Sequence, residues 1–276
     1  MNAKEVLYVT GAMTPFVPET PKSLRARWLP QRMQELGHNV RTFTPKWGII
    51  NERRNQLHEV IRLSGMNIII DETDHPLIIK VASIPQARMQ VYFIDSDDYF
   101  MKRPMEWDEN GEEFDDNGER AIFYARGVLE TVKKLRWVPA IIHCHGWITS
   151  IAPMYIKKAY IDEPSFERAK VVYSISGKEL HKDFGQRTID CMPFREANAE
   201  AFGEFIKDGF GYDDMQKLAI KYADALILDD DNVSPDVLAY AQASGKPLLP
   251  NTAGDNFPQA YADFYEQVVG EPQSEI

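Results

Sequence analysis

Apolar residues fall in short blocks whose spacing switches between a strand period and a helix period. Glu5–Thr10 is a nearly continuous apolar run that stops at Gly11, the pattern of a strand covered on both faces. Ser23–Leu36 then reads as a helix, which Pro30 is expected to kink or divide and Gly37 to end. Val40–Phe43 is the next strand, and this strand–helix–strand spacing predicts a parallel sheet. Further strands are predicted at Ala140–Cys144, Lys170–Ser176, Ala225–Leu228 and Pro247–Leu249. Helices are predicted at Gly118–Leu135, Trp147–Tyr160, Glu196–Lys207, Asp213–Tyr222, Asp236–Ala243 and Asn256–Val268.

Residues 57–95 follow a different rhythm. His58–Leu63, Met66–Ile70, Leu77–Ile84 and Met89–Ile94 are short β-rich runs separated by Ser64-Gly65, Asp74-His75-Pro76 and Ile84-Pro85. They read as hairpins inserted on the parallel core. Asp95–Asn117 is a long acidic loop, and loops of that length commonly carry function. The expected architecture is α/β: a doubly wound, Rossmann-like parallel sheet with a β-hairpin insertion, one domain over 1–270 and a frayed tail over 271–276. In such a sheet the ligand crevice lies at the C-terminal ends of the strands.

Composition narrows the function. A formal charge of −11 over 276 residues opposes binding to nucleic acid or to an anionic membrane. The local acidic runs Asp95–Asp98, Glu112–Asp116 and Asp229–Asp231 read as solvated loops, and the mixed patch Lys178, Glu179, His181, Lys182 and Asp183 as solvated surface. No apolar stretch is long enough for a membrane helix. The first residues lack the signature of a secretory signal, and two cysteines, Cys144 and Cys191, fit a reducing cytoplasm rather than a disulfide framework.

Candidate chemistry is sparse. Alternation along a strand puts His143 and His145 on one face and Cys144 on the other. Two histidines make an incomplete zinc site, so no metal is expected. Gly11 is isolated and no Gly-x-Gly-x-x-Gly follows the first strand, which speaks against a dinucleotide cofactor. Among the aromatic residues, Trp107 in the acidic loop is the best candidate for stacking on a sugar, whereas core packing accounts for Trp28, Trp47 and Tyr99.

Several segments taken in order resemble one family. They are the opening strand with Met13-Thr14-Pro15-Phe16, then Leu36-Gly37-His38-Asn39-Val40-Arg41 running to Pro45-Lys46-Trp47-Gly48. Val91-Tyr92-Phe93-Ile94-Asp95, Asp98-Tyr99-Phe100 and Asp116-Asn117-Gly118-Glu119-Arg120 come next. Ile141-Ile142-His143-Cys144-His145-Gly146-Trp147, Tyr222-Ala223-Asp224 and Val233-Ser234-Pro235 complete the set. Together they resemble the N-terminal catalytic domain of bacterial starch and glycogen synthases. The match is specific over residues 5–160 and loose beyond Ser176.

The resemblance implies one lobe of a GT-B glycosyltransferase, whose family transfers glucose from ADP-glucose to an α-1,4-glucan. ADP-glucose would then be a substrate and no cofactor is implied. Family members have a second lobe that supplies most donor contacts, so the resemblance implies that half of the site lies outside this sequence. It implies a sugar-facing role for Asp116 and a place near the donor glucose for His145, with Thr14, Lys22, Asn117 and Trp147 as substrate-binding candidates. Read from the residues, Asp116 is equally a helix cap and His145 equally a buried, hydrogen-bonded histidine.

The sequence also departs from the family. Where the family carries a Lys-Thr-Gly-Gly-Leu phosphate loop, this chain has Pro18-Glu19-Thr20-Pro21-Lys22-Ser23-Leu24. The glycines that bring backbone N–H groups to a diphosphate are absent, two prolines remove donors, and Glu19 repels phosphate. Lys22 replaces the family lysine off-register, Gly146 replaces an aspartate, and Ser176-Gly177 replaces a His-Asn pair. Three readings follow. The chain is a glucosyltransferase component completed by another chain, inactive by itself. Alternatively it is a glucan-binding or regulatory pseudoenzyme of glycogen metabolism. A self-contained enzyme of another kind has no supporting motif.

Overall fold

The computed structural model describes residues 4–252 and 257–270; the tail expected over 271–276 lies outside the described residues. In chain order the elements are β1 (Glu5–Thr10), α1 (Pro21–Glu35), β2 (Asn39–Pro45), β3 (His58–Glu59), β4 (Met66–Ile70), β5 (Thr73–Ile84), β6 (Met89–Asp95) and α2 (Asn117–Lys134). Then come β7 (Ile141–His145), α3 (Ala152–Lys157), β8 (Lys170–Ile175), α4 (Gly185–Cys191), α5 (Ala199–Phe202), α6 (Tyr212–Tyr222), β9 (Ala225–Leu228), α7 (Pro235–Ala243), β10 (Leu248–Leu249) and α8 (Phe257–Val269).

The strands form one sheet in the order β10-β9-β8-β7-β1-β2-β6-β5-β3, with β4 paired to β5 off that path. From β10 to β6 every pairing is parallel. β5 runs antiparallel to β6, β3 and β4. The antiparallel part is therefore 58–84, and Met89–Asp95 belongs to the parallel core instead of to the hairpin insertion. The expected doubly wound α/β sheet is present. Alternate residues of β1 point into two separate cores, Leu7 and Val9 into one and Val6 and Tyr8 into the other. The first core is covered by α2, α3 and α6, and the second by α1 and α8. A strand covered on both faces needs apolar side chains at consecutive positions, which is why its run is continuous.

Several local expectations need correction. Pro30 does not divide α1, which runs unbroken with Pro30 buried inside it. The predicted helix over Trp147–Tyr160 is a 3₁₀ turn at Trp147–Thr149 followed by α3, because Pro153 suits the first turn of a new helix and not the interior of a longer one. The predicted helix over Glu196–Lys207 shrinks to α5 and a 3₁₀ turn at Gly203–Phe205, and α4 lies where no helix was expected. His58–Leu63 contributes only a two-residue strand. Trp28, assigned to the core, is 42% exposed. Among the described residues no helix is long and apolar enough to cross a membrane.

The acidic loop after β6 is anchored rather than free. Gly48 N donates to Arg103 O at 2.8 Å, and a Cβ on Gly48 would stand 2.3 Å from that same oxygen. Because the obstacle is backbone, it cannot yield by a rotamer change. Gly48→Ala is expected to cost about 2–3 kcal/mol of stability, read from urea unfolding. A loss under about 0.5 kcal/mol, the range of ordinary surface changes, would mean that the two segments do not pack this closely.

Candidate active-site cleft

The side on which successive strands are added switches between β1 and β7, since β1 leads to β2 on one side while β7 leads to β8 on the other. Crevices for ligands form at such a switch point, outside the C-terminal ends of the strands. The ends of β1 and β7 are stitched together there by Gly11 N donating to His145 O at 3.0 Å. Gly146 leaves β7 at φ +91°, a backbone conformation that favours glycine. Above this junction opens a cleft of about 640 Å³, within the size range of small-molecule sites. Its walls come from the loop after β1 and the start of α1 (Pro18, Lys22, Arg25), the acidic loop (Met105, Glu106, Trp107), the segment after β8 (Glu179) and the segment after β9 (Asp229–Asn232).

An ion-paired network forms the floor. Asp229 accepts from Arg25 Nη1 at 2.6 Å, and its other oxygen lies 2.8 Å from His145 Nε2. Thr10 Oγ1 stands 3.1 Å from His145 Nδ1, so both ring nitrogens are engaged. Burial by itself would raise the Asp229 carboxyl, but His145 and Arg25 outweigh it and hold the group well below the usual carboxylate range. Arg25 also donates to the hydroxyl of Tyr261 on α8 at 3.1 Å, tying the cleft floor to the helix layer beneath. One layer deeper, His143 is sealed between the Tyr265 hydroxyl and Ser174 Oγ, each at 2.8 Å. Burial, with His145 alongside, pushes His143 down to about 3, so its imidazole is neutral near pH 7.

The helix start facing the cleft has little left to offer an anion. A helix N-terminus presents unpaired N–H groups and the positive end of its dipole, which together make it a ready phosphate site. Here Pro18 and Pro21 have no N–H, and Ser23 N donates to Thr20 Oγ1 at 3.0 Å within a capping box. The cleft's two basic side chains are also engaged, Arg25 with Asp229 and Lys22 with Glu179 Oε1 at 2.9 Å. Five acidic residues line the same cleft: Glu106, Glu179, Asp229, Asp230 and Asp231.

Of the catalytic and substrate-binding candidates that the resemblance implies, Lys22 lines this cleft and His145 lies directly beneath it. Asp116 precedes α2 without capping it by its side chain, pairs with Arg103 at 2.6 Å, and opens on a separate groove with Glu119 and Arg187. Asn117 is buried, donating to Glu106 O at 3.1 Å and accepting from Arg120 at 2.8 Å. Trp147 is buried too, stacked on Phe184 and donating to Glu106 Oε1 at 3.0 Å. Thr14 is buried in the loop after β1. Burial raises the Glu106 carboxyl above its ordinary range, an effect that the Trp147 hydrogen bond only partly offsets. Trp107, the stacking candidate, does stand at the cleft wall and is 37% exposed.

Sequence reasoning missed Arg25, Glu179 and Asp229. The last two sat in charged runs read as solvated, yet Asp229 is 9% exposed and Glu179 lines the cleft. The available signal for Asp229 was its position directly after the apolar strand β9, where a side chain emerges at the crevice. Among the described residues no group of three or more His, Cys, Asp or Glu side chains is placed to hold a metal ion.

Comparison with known proteins identifies this architecture. Residues 5–245 match the starch synthase catalytic domain family. A glycogen synthase of Chlorobium luteolum is 31% identical over 253 residues, 91% of this chain and 50% of that protein. The glycogen synthase of Pelodictyon phaeoclathratiforme is 31% identical over 223 residues, 80% of this chain and 45% of that one. The chain thus spans about half the length of the curated relatives it matches. In three dimensions it superposes on the catalytic domain of starch synthase IV from Arabidopsis thaliana, a structure bound to ADP and acarbose, with a TM-score of 0.73 at 15% identity, covering 92% of this chain and 52% of that one. Fold and family assignment therefore agree with the order of motifs read along the chain, and the protein belongs to the starch synthase catalytic domain family.

Proposed function

We propose that this chain is the glucan-facing lobe of a glycogen/starch synthase-type glucosyltransferase and that it does not bind ADP-glucose by itself. The observation that carries this reading is the charge balance of the cleft. Both basic residues of its lining are committed to carboxylates, while Asp230 and Asp231 have no basic partner among the described residues. A diphosphate entering there meets like charge and a helix start with few N–H donors to offer. A neutral polyhydroxyl chain meets carboxylate and amide oxygens that accept from its hydroxyls, with Trp107 beside them as a stacking face. In this reading His145 holds Asp229 in place beneath the sugar, and Asp116 has no part in the cleft. Glucosyl transfer then requires a second lobe to bring the donor. If none does, the same cleft serves as a non-catalytic glucan site.

Calorimetric titration of the protein with ADP-glucose and, separately, with maltoheptaose tests this directly. Expected are heat from maltoheptaose and none from ADP-glucose. Micromolar binding of ADP-glucose would overturn the reading of the donor site. Silence with both ligands would remove the glucan assignment.

A further inference from the structure

We infer that Glu179 is the residue that sets the ligand specificity of the cleft, by holding Lys22 in an ion pair and so closing the lobe to phosphate-bearing ligands. The inference rests on the reading of the cleft above and names the side chain responsible for it.

Glu179 is placed for this and is not a mobile surface group. Its Oε1 accepts from Ser176 Oγ at 3.0 Å, and the buried Tyr212 hydroxyl stands 3.0 Å from the same oxygen. Ser176 and Tyr212 are 2.8 Å apart and both buried, and Ser176 N donates to Gln216 on α6 at 3.0 Å. The carboxylate is therefore anchored to the residue that follows β8 and to α6 before it meets Lys22, so the pair incurs less ordering entropy than two free side chains on a surface. Lys22 belongs to the first turn of α1, on the helix end that would otherwise attract an anion. Each partner keeps more than a fifth of its side-chain surface exposed, at 25% for Lys22 and 23% for Glu179, so the pair lies at the cleft wall where a ligand reaches it.

The alternatives within the cleft are weaker. Arg25 is held by Asp229, whose side chain is 2% exposed and which His145 also engages, so releasing it disrupts the floor itself. Lys22 can be released without unsealing a core. One side chain thus separates the present cleft from one with a free cation at a helix N-terminus.

The test is calorimetric titration of the full chain with inorganic pyrophosphate and with ADP at low ionic strength, in wild type, Glu179→Gln and the double variant Lys22→Ala/Glu179→Gln. Glutamine keeps the shape and can still hydrogen-bond to Ser176 and Tyr212. Expected is a gain of about tenfold or more in pyrophosphate and ADP affinity for Glu179→Gln, the size of one charge-assisted hydrogen bond. That gain should shrink as salt is raised and vanish in the double variant. Glu179→Ala, which frees Lys22 by truncation, should show the same gain and covers the case in which glutamine misfolds the segment. No gain in a folded Glu179 variant overturns the inference, and so does a gain that survives loss of Lys22. Tight ADP binding by the wild type would instead defeat the underlying reading of the donor site, so the two failures are distinguishable.

Discussion

Replacing Asp229 with alanine is expected to lower the unfolding free energy by about 3–5 kcal/mol, the cost of leaving a buried ion pair half-made. The Asp229 side chain is 2% exposed and serves two partners, Arg25 at 2.6 Å and His145 at 2.8 Å. Its loss strands a guanidinium under the cleft and leaves His145 Nε2 unpaired. A loss below about 1 kcal/mol in urea unfolding at pH 7, the range of exposed pairs, would mean that water already screens this site.

The same site predicts how the fold responds to acid. Asp229 titrates lower in the folded chain than in the unfolded one, so its contribution is present above about pH 4, the unfolded value, and fades as pH falls below it. His143 is also depressed, to about 3. Its unfolded form takes up a proton from about pH 6.5 downward while the folded form resists, so it too destabilises the fold on acidification. Stability should therefore begin to fall below about pH 6.5 and fall more steeply below about pH 4. Asp229→Ala should flatten the steeper limb and leave the first. An unchanged acid limb in the variant would remove Asp229 from the account.

Arg120→Ala is the second large effect, expected at about 3–5 kcal/mol from unpaired carbonyls plus the cavity left behind. Arg120 is fully buried, with Nε donating to Tyr99 O at 2.9 Å and Nη1 to Met105 O and Asn117 Oδ1, each at 2.8 Å. Its guanidinium lies over Trp47, Phe100 and Phe114, and burial lowers it to about 10, still charged at neutral pH. It thereby pins the acidic loop that carries Met105, Glu106 and Trp107 to the cleft wall. Arg120→Lys should rescue little, because an ammonium lacks the planar fork that spans these acceptors. Maltoheptaose binding should weaken in both variants. Full stability in Arg120→Ala would mean that the loop is held by other contacts.

Much of the fold was legible because burial on two faces writes a continuous apolar run. β1, β7, β8 and β9 were each placed to within about two residues, the usual uncertainty of element ends. Helices failed where a proline had two meanings. Pro30 sits inside α1 while Pro153 starts α3, and local propensity does not separate a tolerated interior proline from an N-terminal one. The candidate site was legible as a place, the strand ends around Gly11 and His145, but only partly as residues. Asn117 and Trp147 lie in the motifs that carry the resemblance, yet both are turned inward to support the acidic loop and not outward to a ligand.

By itself the sequence determined the family, the strands of the parallel core and the absence of glycine from Pro18–Leu24, since each is a property of neighbouring residues. Tertiary structure alone decided which charges face one another. Lys22 and Glu179 are far apart in the chain, as are Arg25 and Asp229, and only the parallel sheet brings their segments to one crevice. A charge run is solvated or buried according to what packs against it. That is why the side chains that give this cleft its charge were not recognisable until the sheet was closed around them.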